Sequence, residues 1–138
     1  MRQIAIAEHL LTQSYPALAD PKILISALQN AYSAVDEAIT HVLREAREKK
    51  EIPAYSTTFT GKLTAYKLYL AKKGTVTAID FMLVTELQEL LLAYQESSTA
   101  FRRKDAFVIA DDAFHIKTLT PEKTNTYIQR IKSLLTRL

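Results

Sequence analysis

The chain has 138 residues, 48% of them hydrophobic and 24% charged, with a formal net charge of +3 at pH 7. That is the size of one ordinary domain with enough apolar material for one core, and the mild basicity demands no polyanionic partner. Only 2 Gly and 4 Pro leave little for tight turns, which favours long helices over a many-stranded sheet, and the lack of Cys excludes a disulfide framework, a thiolate zinc site and a cysteine nucleophile.

Residues 2–14 place Ile4, Ala7, Leu10, Leu11 and Ser14 on one side of a helix. Tyr15-Pro16 is expected to end it, because a residue before proline avoids the α region. Asp20 and Pro21 then read as the N-cap and first residue of a second helix: the carboxylate accepts an unpaired backbone N–H, and proline has none to lose. Leu24, Leu28, Ala31, Val35, Ala38 and Val42 follow at alternating spacings of four and three, with Ile25, Tyr32, Ile39 and Leu43 widening the stripe. The run closes on the charged segment Arg44–Lys50, whose cations sit at the negative end of the helix dipole. About 30 residues at roughly 1.5 Å each make a rod of about 45 Å, the spine on which the rest is expected to pack.

Glu51–Thr58 has no helical period and reads as a loop. A third helix is expected from about Gly61 to Lys73, apolar on Leu63, Tyr66 and Leu70 with Ala65, Leu68 and Tyr69 beside them, and stopped by Lys72, Lys73 and Gly74. Thr77-Ala78-Ile79-Asp80 has the form of a capping box with Asp in the usual Glu or Gln position, so a fourth helix should run from Ala78 to about Glu96. Ile79, Leu83, Leu87, Leu90, Leu91 and Tyr94 make one face of it, while Phe81, Met82, Val84 and Leu92 add apolar surface outside that face. A helix this apolar is either central in a bundle or part of a subunit interface, and Leu87, Leu91 and Tyr94 are the candidate interface residues.

After Ser98 the period becomes two. A hairpin over about 106–117, pivoting on Asp111-Asp112, puts Phe107, Ile109, Phe114 and Ile116 on one face and Val108, His115 and Lys117 on the other. Asp-Asp is a poorer two-residue turn than Asp-Gly, so the register stays open. Thr120 and Pro121 repeat the capping signature, and a last helix, about 121–137, should bury Tyr127, Ile128, Ile131, Leu134, Leu135 and Leu138. The expected fold is mainly α, a single domain over 1–138 in which about five antiparallel helices carry one small C-terminal β-hairpin. A lone hairpin is marginal in water, so its apolar face must dock on the bundle or on another chain.

Few residues suggest chemistry. Glu37 and His41 lie one helical turn apart, but carboxylate-bridged di-iron bundles use Glu-x-x-His on two helices; here the interval is i,i+4 and occurs once, which reads as a surface ion pair. Asp36 with Glu37, and Glu86 with Glu89, read as solvated helix faces. There is no Walker loop, no dinucleotide glycine fingerprint and no His-Glu-x-x-His. Neither an enzyme activity nor a metal or cofactor is expected. The most suggestive cluster is Phe101-Arg102-Arg103-Lys104, followed by His115 and Lys117 on the hairpin, which together could hold phosphates and stack on a base. From Phe101 onward eight Lys/Arg oppose four acids, a local charge of +4. The same basic tripeptide could instead guard a strand edge.

The stretches Ile6–Leu10 and Leu28–Leu43, with their small residues, Tyr32 and apolar spacing, resemble the first two helices of HEPN domains. The resemblance covers about the first third of the chain. It implies a small helical bundle, often dimeric, frequently partnered with minimal nucleotidyltransferases, and in some branches a ribonuclease. That ribonuclease motif is Arg, four to six residues, then His, late in the domain. Here the pair is Arg2 and His9, at the wrong end, and His115 has no Arg at the right distance, which argues against ribonuclease activity.

No apolar run approaches the ~18 residues of a membrane span, and the opening Met1–His9 has no signal-peptide pattern. The expectation is a soluble, cytoplasmic, non-enzymatic homodimer that binds a further protein, with no membrane partner. The alternative is an RNA- or nucleotide-binding module using Arg102, Arg103, Lys104, His115 and Lys117.

Overall fold

The computed structural model describes residues 2–70, 75–96, 99–103, 106–110 and 116–138, with the backbone alone for 99–103. Among the described residues the chain is mainly helical, as expected, with five helices and a small antiparallel sheet.

Helix α1 comprises Arg2–His9, a π-turn at Leu10–Ser14 and a last turn at Tyr15–Leu18, so it does not stop at Tyr15-Pro16 as its sequence suggests. In the π-turn the Tyr15 N–H reaches back five residues to the Leu10 carbonyl. This wider turn relieves the clash that a proline ring makes with the preceding turn and absorbs its missing N–H, and Pro16 then starts the final turn, where proline is tolerated. The helix ends at Ala19, whose φ of 51° brings its N–H to the Tyr15 carbonyl at 2.7 Å.

Helix α2, Lys22–Glu48, has 27 residues and packs against every other helix. Asp20 opens it as its chemistry requires: Oδ1 accepts the Lys22 N–H at 3.0 Å. The buried line begins as expected at Leu24, Leu28, Ala31 and Val35 but continues through Ile39, Leu43 and Ala46, leaving Ala38 and Val42 half-buried. Alternating four-three spacing has a period of 3.5, and a helix of 3.6 drifts off it by about 20° per heptad, so the inward face moves one residue on. At the far end Lys50 takes φ 58°, the Lys50 N–H bonds the Arg47 carbonyl at 3.1 Å and the Glu51 N–H bonds the Ala46 carbonyl at 2.9 Å. That is a Schellman stop with lysine where glycine is usual.

Helix α3 runs over Phe59–Ala65 and continues as a π-turn, Tyr66–Leu70, so it begins two residues earlier than expected; the expected stop at Lys72–Gly74 lies outside the described residues. Thr58 Oγ1 caps it by accepting the Gly61 N–H at 3.0 Å. Gly61 is demanded by close approach, since a Cβ there would lie 2.4 Å from the Ser56 Cβ. The Lys62 ammonium crosses to α2, where it pairs with Asp36 and donates to Thr40 Oγ1 at 2.8 Å. Helix α4, Ala78–Gln95, starts at the Thr77–Asp80 capping box that the sequence announces.

The sheet has the order β1-β2-β3, with β1 at Thr99–Arg103, β2 at Ala106–Ala110 and β3 at Ile116–Leu119. The hairpin is β2–β3, and β1 adds a strand where the basic cluster was expected to precede it. Ala110 pairs with Ile116 and Phe107 with Leu119, a register that a two-residue Asp111-Asp112 turn cannot give. This register reverses the faces of β3. Leu119, at 0% exposure, takes the inward position expected of Ile116, which is 68% exposed, and Lys117 moves to the face of Phe107 and Ile109. An odd register shift flips every side chain, and burying Leu119 beside Phe107 decides it. Phe114 and His115 lie outside the described residues. The sheet docks on α4, with the Phe107 and Tyr94 rings 5.8 Å apart and inclined at 55°.

Helix α5, Pro121–Leu135, is capped by Thr120 Oγ1 accepting the Lys123 N–H at 3.1 Å, and it buries Tyr127, Ile128, Ile131 and Leu134 as its period predicts. Leu135 and Leu138 are half-buried at the core's edge. All five helices, β2 and β3 share one continuous apolar core.

Candidate functional site

The first turn of α4 sets which way the helix faces. Asp80 Oδ2 accepts the Thr77 N–H at 2.8 Å, while Thr77 Oγ1 accepts the Asp80 N–H at 3.4 Å. The same carboxylate receives the Arg137 guanidinium in a two-pronged contact, Nη1 to Oδ2 at 2.6 Å and Nη2 to Oδ1 at 2.9 Å, and Arg137 Nη1 also donates to the Thr75 carbonyl at 3.2 Å. The Arg137 hydrogen bonds, helped by those from Thr77 against the opposing effect of burial, hold the Asp80 carboxyl down at about 2.

With Asp80 turned inward, its neighbour Ile79 is turned out. Ile79 was expected on the buried face; it is 70% exposed, and so is Met82 one turn on. The buried line is Leu83, Val84, Leu87 and Leu90. Leu87 has 0% exposure, so it serves the chain's own core and cannot meet a second chain without opening the bundle. Leu91 and Tyr94 are half-buried, with Tyr94 committed to Phe107. The expected interface trio therefore does not form an outer surface.

The outer face of α4 is a different set. Ala78, Met82, Thr85, Glu89 and Leu92 recur at spacings of four, three, four and three; all are exposed except the half-buried Thr85. Beside them opens a groove of about 560 Å³, floored by Ala78, Phe81, Met82 and Thr85. Lys67, from the π-turn of α3, stands at one end with its Nζ 5.0 Å from the centre of the Phe81 ring, a cation–π contact. Glu86 and Glu89 stand towards the other. Glu86 accepts the Tyr127 hydroxyl at 3.3 Å; burial first, and then the Glu86 charge, push that phenol up to about 12. The arrangement suits apolar side chains framed by a cation and two carboxylates. Met82 and Leu92 were visible in the sequence as apolar residues outside the main stripe, whereas nothing in it marks Ile79 as exposed.

Of the basic cluster, only Lys117 has a described side chain. The backbone of Arg102 pairs with that of Phe107, and the backbone of Arg103 with that of Ala106. Lys117 is half-buried opposite Ile109, and Lys104 and His115 lie outside the described residues. His9 is exposed on α1, as is Arg2. The His41 Nε2 lies 3.8 Å from Glu45 Oε2, so the surface pair runs forward along α2 to Glu45 and not back to Glu37. Asp36, one of the imagined paired carboxylates, is held by Lys62. Among the described residues no three His, Asp or Glu side chains gather as metal ligands, and no helix is long and apolar enough to cross a membrane.

Comparison with known proteins finds no matching family model, no matching curated protein and no matching solved structure.

Proposed function

We propose that this chain is a non-enzymatic helical interaction module that works as a homodimer, with the outer face of α4 as its contact. The observation that carries the reading is Met82, 70% exposed at the lip of an open apolar groove, with Ile79, equally exposed, one turn before it. Leaving two such side chains in water forgoes about 1.5–3 kcal/mol each relative to burial. A second copy fits the surface chemically: Lys67 towards one end and Glu86 and Glu89 towards the other make it self-complementary under two-fold symmetry. The HEPN-like cast of α1 and α2 belongs to the same proposal and brings no ribonuclease chemistry with it.

Sedimentation velocity over a wide dilution range tests the reading, with Met82→Glu as the variant. The exposed position lets that variant fold, so its thermal transition should match the native one. A native dimer that dissociates on dilution, and a folded monomeric variant, are expected. A native protein that stays monomeric at every concentration would overturn the proposal.

A further inference from the structure

The stripe Ala78, Met82, Thr85, Glu89 and Leu92 is centred on Thr85, with its end members Ala78 and Leu92 equidistant from it, and that spacing specifies how a second copy would sit. We infer that two copies pair through α4 in antiparallel orientation, with the two-fold axis passing at Thr85. This rests on the homodimer reading and adds the register to it. Ala78 and Leu92 lie seven residues to either side of Thr85, about 10.5 Å along the helix. An axis at Thr85 sets Ala78 of one copy against the exposed Leu92 of the other and lays the Met82 side chain beside Gln88 and Glu89 of the other. Thr85, small and half-buried, lets the two helices approach to the 8–10 Å at which side chains interdigitate.

Charge selects this orientation over the parallel one. Lys67 is anchored over Phe81, four residues before Thr85, and Glu89 lies four residues after it. Antiparallel pairing therefore brings each Lys67 to the Glu89 of the other copy, twice per dimer. Parallel pairing would set Lys67 against Lys67 and Glu89 against Glu89, and like charges across an interface penalise that arrangement. A single seam about 21 Å long sits at the low end of interface sizes, so the dimer should exchange subunits on dilution.

Charge reversal tests the register. Lys67→Glu and Glu89→Lys are each expected to weaken self-association about tenfold, and an equimolar mixture should recover a heterodimer of near-native affinity, because acid at position 67 then meets base at position 89 and the native pair is kept at the other end. Lys67→Gln separates the loss of the Phe81 contact from charge reversal and should fall between native and Lys67→Glu. If Met82→Glu abolishes a native dimer while neither reversal weakens it, or the mixture fails to recover, the antiparallel register is overturned and the homodimer stands. A monomeric native protein overturns both.

Discussion

Removing the Arg137 guanidinium by Arg137→Met leaves the Thr77–Asp80 capping box in place and strips away the largest influence on the Asp80 carboxyl. In the native chain that group is drawn from its ordinary 3.8 to about 2. At 1.36 kcal/mol per unit the difference is worth about 2 kcal/mol of folding stability, and since the Arg137 side chain is 34% exposed, solvent screening brings the expected effect nearer to about 1 kcal/mol. A carboxyl held below its unfolded value contributes stability that is fully present above about pH 4 and is lost as pH falls towards about 2. Urea unfolding followed by circular dichroism at neutral pH and across pH 5 to 2 should therefore show the variant less stable at neutral pH and less sensitive to acid. Asp80→Asn, which also disturbs the cap, should be destabilised further, by about 1 kcal/mol more. Native stability at neutral pH, together with an unchanged acid profile in Arg137→Met, would refute the claim that this contact fixes the start of α4.

Three further outcomes are expected. Lys50→Gly should stabilise the chain by about 1 kcal/mol in urea unfolding, since φ 58° strains any residue with a Cβ; a neutral or destabilising effect would contradict the Schellman stop. Leu119→Ala should cost about 2–4 kcal/mol and Ile116→Ala under about 0.5, and the opposite order would restore the two-residue turn and its register. Spectrophotometric titration should find Tyr127 half-ionised near pH 12, later than an ordinary phenol at 10.0, so Tyr127→Phe should remove a late step; loss of a step near pH 10 instead would contradict the burial of Tyr127 against Glu86.

Where local chemistry decides structure, the fold is legible in the residues. Asp20, Thr77 with Asp80, and Thr120 each announce a helix start that the backbone uses, and the apolar periods of α2 and α5 identify their inward faces to within one residue. The misses were settled by neighbours that the apolar pattern does not show. Pro16 stays helical because a π-turn widens before it, and β3 slips because Leu119 finds a place beside Phe107. Strand β1 was missed because Thr99–Arg103 carries no apolar alternation of its own and forms by pairing with β2. The candidate surface was half visible. Met82 and Leu92 stood outside the main stripe of α4, but the inward turn of Asp80, and with it the exposure of Ile79, depends on Arg137, 57 residues away.

The most direct test of an α4 pairing about Thr85 uses the absence of cysteine from the chain. Thr85→Cys would place one thiol on the two-fold axis, where the thiols of two copies come within disulfide reach; Leu18→Cys, on exposed α1, serves as the control. Under mild oxidation, non-reducing electrophoresis should show rapid covalent dimer from Thr85→Cys and little from Leu18→Cys. Equal and slow cross-linking of the two would contradict the pairing of α4 with itself.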